Sequence, residues 1–431
     1  MSTSDPASGR RLYVYLQRPD TGQWVTVGRY DYPGLITPGG FLYAPSYVEA
    51  GLAWSIDPVN LPFIPERVFD AARYDGLHDV LRDACPDAWG QAVLRKEAGL
   101  PEDASALRYL VASGNADRWG ALAVGSSTKP SVAELNAPSL PRLPDLIEEL
   151  QALAEGRPAV RTALRRRLVQ GASSVGGANP KATVRDEEGR FWLAKPRMQG
   201  DFVDVPRLEH AAHRWGLAAG LRFAPTERVT EGHSAVLVLR FDREEGRRQM
   251  CVSAAALLQV EYPGAYAHAG RASYPRLAEE LKRIGAPQQD RIELFGRMVF
   301  NAMCGNDDDH VRNHAVVWSQ GEGRWRLSPA FDVVPNPAET PRQLTMQVST
   351  GRFDISREAF LADAHRFGFD SLQKAERHLD ELVLRISHTF DTAATQLAPH
   401  WREALYARLK LNRERLQAKL LPLLMHDTSG A

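Results

Sequence analysis

Residues 304 to 317 read CGNDDDHVRNHAVV. Three carboxylates, Asp307, Asp308 and Asp309, are followed by His310 and then by Asn313. Side chains of these types at this spacing rarely serve packing. A solvated turn that caps a neighbouring element is the plainest reading. The chemical readings are a metal cluster, or a phosphoryl-transfer loop in which one Asp orients an acceptor hydroxyl while an Asn holds Mg²⁺ through a hard oxygen.

Phosphoryl transfer also needs a lysine that reaches the phosphates and a second metal-binding acid. Both occur in order along the chain. The stretch QGASSVGGANPKATV, with Gly176 and Gly177, leaves backbone N–H groups free for an anion, and Lys181 closes it. Lys195 closes the second strand of the hairpin that follows, and Asp332 sits just past the hairpin after Asn313. Loop, hairpin and second acid is the order of protein kinases, although the usual HRD, DFG and APE signatures are absent.

The elements that would position these residues are legible as patterns. KATVRD and RFWLAKP alternate as two strands around an EEG turn. Leu208, Ala211, Ala212, Trp215 and Ala219 predict a helix over 206–219, stopped by Gly220. APTERVT and SAVLVLRF predict another strand pair, and DRIELFGRMVFNAMCG predicts one helix ending at the acidic cluster. HAVVWS, GEG and RWRLS predict a hairpin leading into PAFDVVP. The chain opens with strand-like alternation at Leu12, Val14 and Leu16 and again at WVTVGRY. Residues 67–100 and 145–169 read as helical, 125–144 as a Pro- and Ser-rich loop, and the region beyond 250 as mostly helical.

Length and composition bound the rest. A chain of 431 residues accommodates two or three domains. Lys and Arg together number 53, as do Asp and Glu, so no charge excess marks a nucleic-acid or membrane surface. Cys85, Cys251 and Cys304 are too scattered for a zinc site or a disulfide framework, which points to a reducing cytoplasm. MSTSDPASGRR carries no apolar core, so no signal peptide is expected, and no apolar run is long enough to span a bilayer.

Taken together, SSVGGANPKA, LAKP, LEHAAHRWGLAAGL, LRFDR, GNDDDHVRNH and PAFDVVP resemble the HipA-like serine/threonine kinases, toxins of bacterial toxin–antitoxin pairs. ACPDAWG and ASGNADRWGAL are similar to that family too, and the resemblance runs from about residue 10 to about 425. It implies an α+β, protein-kinase-like two-lobed fold. Residues 1–145 would form an added N-terminal subdomain, 146–245 the β-rich lobe, and 246–431 the helical lobe. It also implies ATP and Mg²⁺ as cofactors and a catalytic role for Asp308. Asn313 and Asp332 would bind the metal, Lys195 the phosphates, with Glu209 as its partner, and Lys181 could also meet phosphate. Leu239 to Arg243, including Phe241, would line the adenine site, and Ser174 would be the autophosphorylated loop serine, with Ser173 beside it as the alternative. The implied partners are a protein substrate, such as an aminoacyl-tRNA synthetase, and a small helix-turn-helix antitoxin. DNA would be met only through that antitoxin, and the setting is cytoplasmic. Asp307 departs from the family pattern by adding an acid where a neutral residue is common.

Each residue has a plainer reading as well. Glu209 could be an ordinary helix acid, and His310 a brace that bonds backbone carbonyls. Asp309 could face solvent or lie beside the metal; Arg240 and Asp242 could form a structural ion pair. Cys304 reads as a small core residue, and Trp89 and Trp119 as packing for the N-terminal domain. The competing functions are a nucleotide-binding regulatory module acting through an antitoxin, a small-molecule kinase, and a metal hydrolase that would leave Lys195 unexplained.

Overall fold

The computed structural model describes residues 11–33, 38–170, 177, 179–229, 234–262, 270–336 and 338–418. Ser173, Ser174 and Gly176 lie outside the described residues.

All the sheets are antiparallel. The first is built from Arg11–Gln17, Trp24–Asp31, Gly39–Tyr43, Val68–Ala71 and Leu122–Gly125, with the Arg11–Gln17 strand between Trp24–Asp31 and Leu122–Gly125. The second holds Ala182–Arg185, Phe191–Pro196, Ala235–Leu239 and Thr226–Val229, in that order across the sheet. Helix Val205–Ala218 connects its second and third strands in sequence and ends at Gly220, whose φ of +79° suits a glycine. These elements follow the predicted order of two strands, helix, two strands.

The helical part follows. Helix Gln288–Cys304 is almost wholly buried and stops at Gly305, φ +77°, immediately before the acidic cluster. The predicted hairpin forms from Ala315–Ser319 and Arg324–Leu327. Long helices Leu372–Ala394 and Pro399–Gln417 close the fold. No helix among the described residues is long and apolar enough to cross a membrane.

Two expectations are corrected, and one short strand is added to the predicted elements. The stretch from 67 to 100 opens with the strand Val68–Ala71, because alternate side chains, Phe69 and Ala71, are buried there. Tyr74, Asp75 and Gly76 all have positive φ, and this break separates the strand from short helix Asp79–Asp83 and helix Ala88–Ala98. Beyond residue 250, Cys251–Ser253 forms a strand that joins the later hairpin at Ala315–Val317. Trp89 packs with Leu146, Ala182 and Trp192, and Trp119 with Cys251 and Ala315, so neither serves the core of the first sheet. Only tertiary pairing decides these placements, which is why periodicity misses them.

Trp215 ties the Val205–Ala218 helix to the helical part. Its ring meets Phe300 and Phe390 edge-on, and its indole N–H donates to the Ile386 carbonyl at 2.8 Å. On the same helix, His213 is fully buried with Nδ1 bonded to the Ala224 carbonyl at 2.9 Å. Burial pushes its ring down from 6.5 to about 4. The unfolded chain therefore takes up a proton near pH 6.5 that the native ring refuses. The stability that this neutral ring contributes is complete above that pH and is lost as pH falls towards 4. Denaturant titrations should show wild type losing about 1.4 kcal/mol more per pH unit across this window than His213→Gln. Equal slopes would contradict the assignment.

Candidate functional site

Side-chain alternation along Phe191–Pro196 aims the lysine. Trp192 and Ala194 join the cluster beneath the Leu143–Glu155 helix, whereas Leu193 packs with Val236, Val238 and the ring of Phe331. Lys195, two residues from Leu193, projects to that second face. Its ammonium lies 2.7 Å from Glu209 Oε1 and 2.6 Å from Asp332 Oδ1. Glu209 is buried on the Val205–Ala218 helix, which begins with Asp204 accepting from the Arg207 N–H. Burial alone would lower the Lys195 pKa, but the two carboxylates overcome it and raise it. Burial would raise Asp332, yet Lys195 holds it below the ordinary carboxylate range, whereas the more deeply buried Glu209 is raised. Asp332 has φ +58°, a left-handed conformation rare for an L residue and typical of constrained functional positions.

The acidic loop splits its three carboxylates. Asp307 accepts from the Asn336 side-chain amide at 2.9 Å. Asp309 turns inward, accepting from Tyr274 Oη at 2.5 Å and from the Thr345 N–H at 2.9 Å, and burial pushes it up to about 7. It is buried rather than surface-facing, which corrects that reading, and it does not line the Lys195 cleft. Asp308 is left facing the cleft, its pKa raised by burial and by Asp332 and Asp307, with His310 opposing. The turn Val311–Asn313 folds back so that Asn313 Nδ2 donates to the Asp308 carbonyl at 2.9 Å. That bond engages the side-chain amide, and Asn313 lines a small hollow behind the loop rather than the cleft that holds Asp308 and Asp332. His310 packs against Tyr262 with the rings tilted and centroids 4.1 Å apart, and its Nδ1 has no partner among the described residues. It braces the loop by ring packing rather than by the expected carbonyl bonds.

Two hollows meet at Lys195 and Asp332. A cleft of about 410 Å³ contains Gly177, Lys181, Asp308 and His310 beside them. A narrow apolar slot contains Leu239, Phe241, Phe331 and Trp119 beside the same pair. Phe241 and Phe331 lie 5.2 Å apart. The slot offers flat apolar walls and the cleft offers carboxylates, with a cation at the junction. Asp332 offers the cleft a hard oxygen of the kind Mg²⁺ takes, an ion that uses few protein ligands and completes its shell with water and phosphate.

A family model for the HipA-like C-terminal domain matches residues 173–393, just over half of the chain. The chain belongs to the HipA-like family. The matched span contains every residue of the Lys195 cleft and loop named above. The HipA toxin–antitoxin structure from Shewanella oneidensis MR-1, containing HipA, HipB and operator DNA, provides a chain of the same fold. Its TM-score is 0.67 at 16% identity, covering 95% of this chain and 100% of that one. A Sinorhizobium fredii protein named as a candidate kinase, Y4mE, is 25% identical over 210 residues. That match takes in 46% of this chain and 47% of the relative, so the chain spans about half the length of that curated relative.

The HipA-like core is gripped by residues from the N-terminal side. Asp83 accepts from Ser253 N–H and Oγ at 2.8 and 2.7 Å and meets Arg312 of the acidic loop at 3.1 Å. Asp87 caps helix Ala88–Ala98 through the Gly90 N–H and holds Lys181 Nζ at 2.9 Å. Lys181 also donates to the Gly177 carbonyl at 2.9 Å, and a Cβ on Gly177, φ +98°, would sit 3.1 Å from that ammonium. Lys181 is thus a buried structural cation at the loop's base, already neutralised. Arg240 bonds Asp242 and Asp117, so the ion-pair reading of LRFDR holds, while Leu239 and Phe241 line the slot. Sequence reasoning missed Asp83, Asp87, Asp117 and Phe331 as parts of the site. Asp83 and Asp87 stand in and beside ACPDAWG and Asp117 in ASGNADRWGAL, so the signal was the recurrence of acids beside tryptophan and small residues.

Removing one partner of a buried pair leaves the other charge uncompensated. Asp87→Ala is expected to cost about 3–5 kcal/mol in denaturant unfolding. A loss below about 1 kcal/mol would show that Lys181 is solvated, as surface pairs are.

Proposed function

We propose that this chain is an ATP- and Mg²⁺-dependent serine/threonine protein kinase, acting as the toxin of a toxin–antitoxin pair. The observation that carries this reading is the position of Lys195. Its ammonium, clasped by Glu209 and Asp332, stands where the apolar slot opens into the cleft that holds Asp308. Adenine fits flat between Leu239, Phe241 and Trp119, and the phosphates then run past Lys195 towards Asp308.

In the reaction, the acceptor hydroxyl attacks the γ-phosphorus as the bond to the β–γ bridging oxygen breaks, and ADP leaves. Asp308 orients that hydroxyl and takes its proton, and its raised pKa makes it the better acceptor. Lys195 keeps Glu209 and turns a hydrogen to the phosphate oxygens. Asp332 and Asn313 would hold Mg²⁺, which would supply neutralisation of the phosphate charge. Asn313 also fixes the Asp308 backbone, so the catalytic carboxylate and the metal ligand move together.

The finer reading follows the family. The substrate is a protein of translation, such as an aminoacyl-tRNA synthetase, and its modification arrests growth. The partner is a small helix-turn-helix antitoxin, supported by the HipB and operator DNA in the Shewanella complex. Zero net charge favours DNA contact through that partner. Ser174, or Ser173 beside it, is the self-phosphorylated residue; a phosphate there would repel ATP and switch the enzyme off.

Intact mass after incubation with ATP and Mg²⁺ tests the reading. Wild type should gain one phosphate, on the 171–181 peptide, and Asp308→Asn should gain none while still binding ATP by calorimetry. Full turnover in Asp308→Asn would remove it from the catalytic role. Full labelling of Ser174→Ala would move the switch to another residue.

A further inference from the structure

Beneath the acidic loop lies a small, partly enclosed hollow of about 10 Å³, which shares Asn306 with the cleft. Most of its surface is apolar, and polar side chains reach it at a few atoms. Arg297, Asn301, Asn306, Asp309, Asn313 and His314 face it, with Phe223 and Phe331 among the apolar walls. Arg297 and His314 are 2% and 3% exposed, and three of their atoms, Arg297 Nη1 and both His314 ring nitrogens, have no hydrogen-bond partner among the described residues. An unmet buried donor or acceptor costs about 1–3 kcal/mol, so three at one place call for a common ligand.

The neighbouring groups are already engaged. Asn301 donates to Tyr274 Oη and accepts from Asn306 Nδ2, and Asp309 accepts from Tyr274 and Thr345. The other Arg297 nitrogens are committed to Glu293, Ser328 and Arg222. What remains is the two N–H groups of Arg297 Nη1, an imidazole, and Asn313 Oδ1. A neutral imidazole offers one donor and one acceptor. Donors and acceptors together suit a molecule that can both give and take, and the volume is on the scale of one water.

We propose that this cavity binds a single ordered water, held by Arg297 and His314, which bonds Asn313 from behind and fixes its side chain. His314 and Arg297 are then positioning residues: they touch no substrate and act through the water on Asn313. The water site stands on the cavity alone; its effect on Mg²⁺ rests on the proposed function. Partners that orient a metal ligand from behind typically govern about tenfold or more in metal affinity.

A crystal structure of the wild-type chain without nucleotide, at a resolution that shows ordered solvent, tests the site directly. One water within hydrogen-bond distance of Arg297 Nη1 and a His314 ring nitrogen is expected. A cavity closed by side chains, or one without solvent density, would overturn the proposal. His314→Leu tests the consequence by calorimetry of ATP with and without Mg²⁺. The Mg²⁺-dependent gain in affinity should weaken about tenfold while metal-free ATP binding is unchanged. Equal weakening of both would reduce His314 to a packing residue and overturn the positioning role. Arg297→Met gives the same reading should His314→Leu not fold. Absence of any ATP binding in wild type would defeat the kinase reading and leave the crystallographic test of the water site standing.

Discussion

One ammonium organises this molecule. Lys195 sits where a strand of the second sheet, the Val205–Ala218 helix and the segment after the Arg324–Leu327 hairpin come within 3 Å of one another. Each carboxylate there would be costly to bury alone, as would the lysine; the shared ammonium offsets much of that cost for both acids. Glu209 needs the helix docked, and Trp215 docks it on the helical part through Phe300 and Phe390. Asp332 needs its left-handed backbone, fixed nearby by Ala330, which exchanges backbone bonds with Arg222 and Ala224. The slot and the cleft exist because this clasp holds their common wall.

A second set of carboxylates does for the frame what Glu209 and Asp332 do for Lys195. Asp83 and Asp87, four residues apart, reach the acidic loop through Arg312 and the base of the glycine loop through Lys181. Asp117 meets Arg240 at the end of the second sheet. The N-terminal part is therefore a brace across both halves of the site rather than an appendage. Its acids are buried, so a displacement of this part would expose or orphan charges on both sides of the cleft at once.

The family and the meeting of Lys195 with Glu209 and Asp332 were the most legible features of the sequence. Lys195, Glu209, Asp308 and Asp332 come together because local patterns place them: alternation in Phe191–Pro196, helical spacing in Val205–Ala218, and a glycine stop at Gly305. The division of labour among the three aspartates was not legible. Asp309 is buried because Tyr274 and Thr345, distant in sequence, supply its hydrogen bonds. Likewise, nothing local in the sequence shows that Lys181, which the resemblance places near phosphate, pairs with the distant Asp87. Trp119 was read as core packing and Phe331 was not singled out, because an aromatic residue looks the same in the sequence whether it fills a core or walls a slot.

The central claim is that the Lys195 clasp joins a nucleotide slot to a transfer cleft. A crystal structure with a non-hydrolysable ATP analogue and Mg²⁺ tests it most directly. The account predicts adenine between Leu239, Phe241 and Trp119, phosphate oxygens on Lys195 Nζ, and the metal on Asp332 and Asn313 with the terminal phosphate facing Asp308. A nucleotide bound elsewhere, or Lys195 still locked on Asp332 with the phosphates out of its reach, would contradict it.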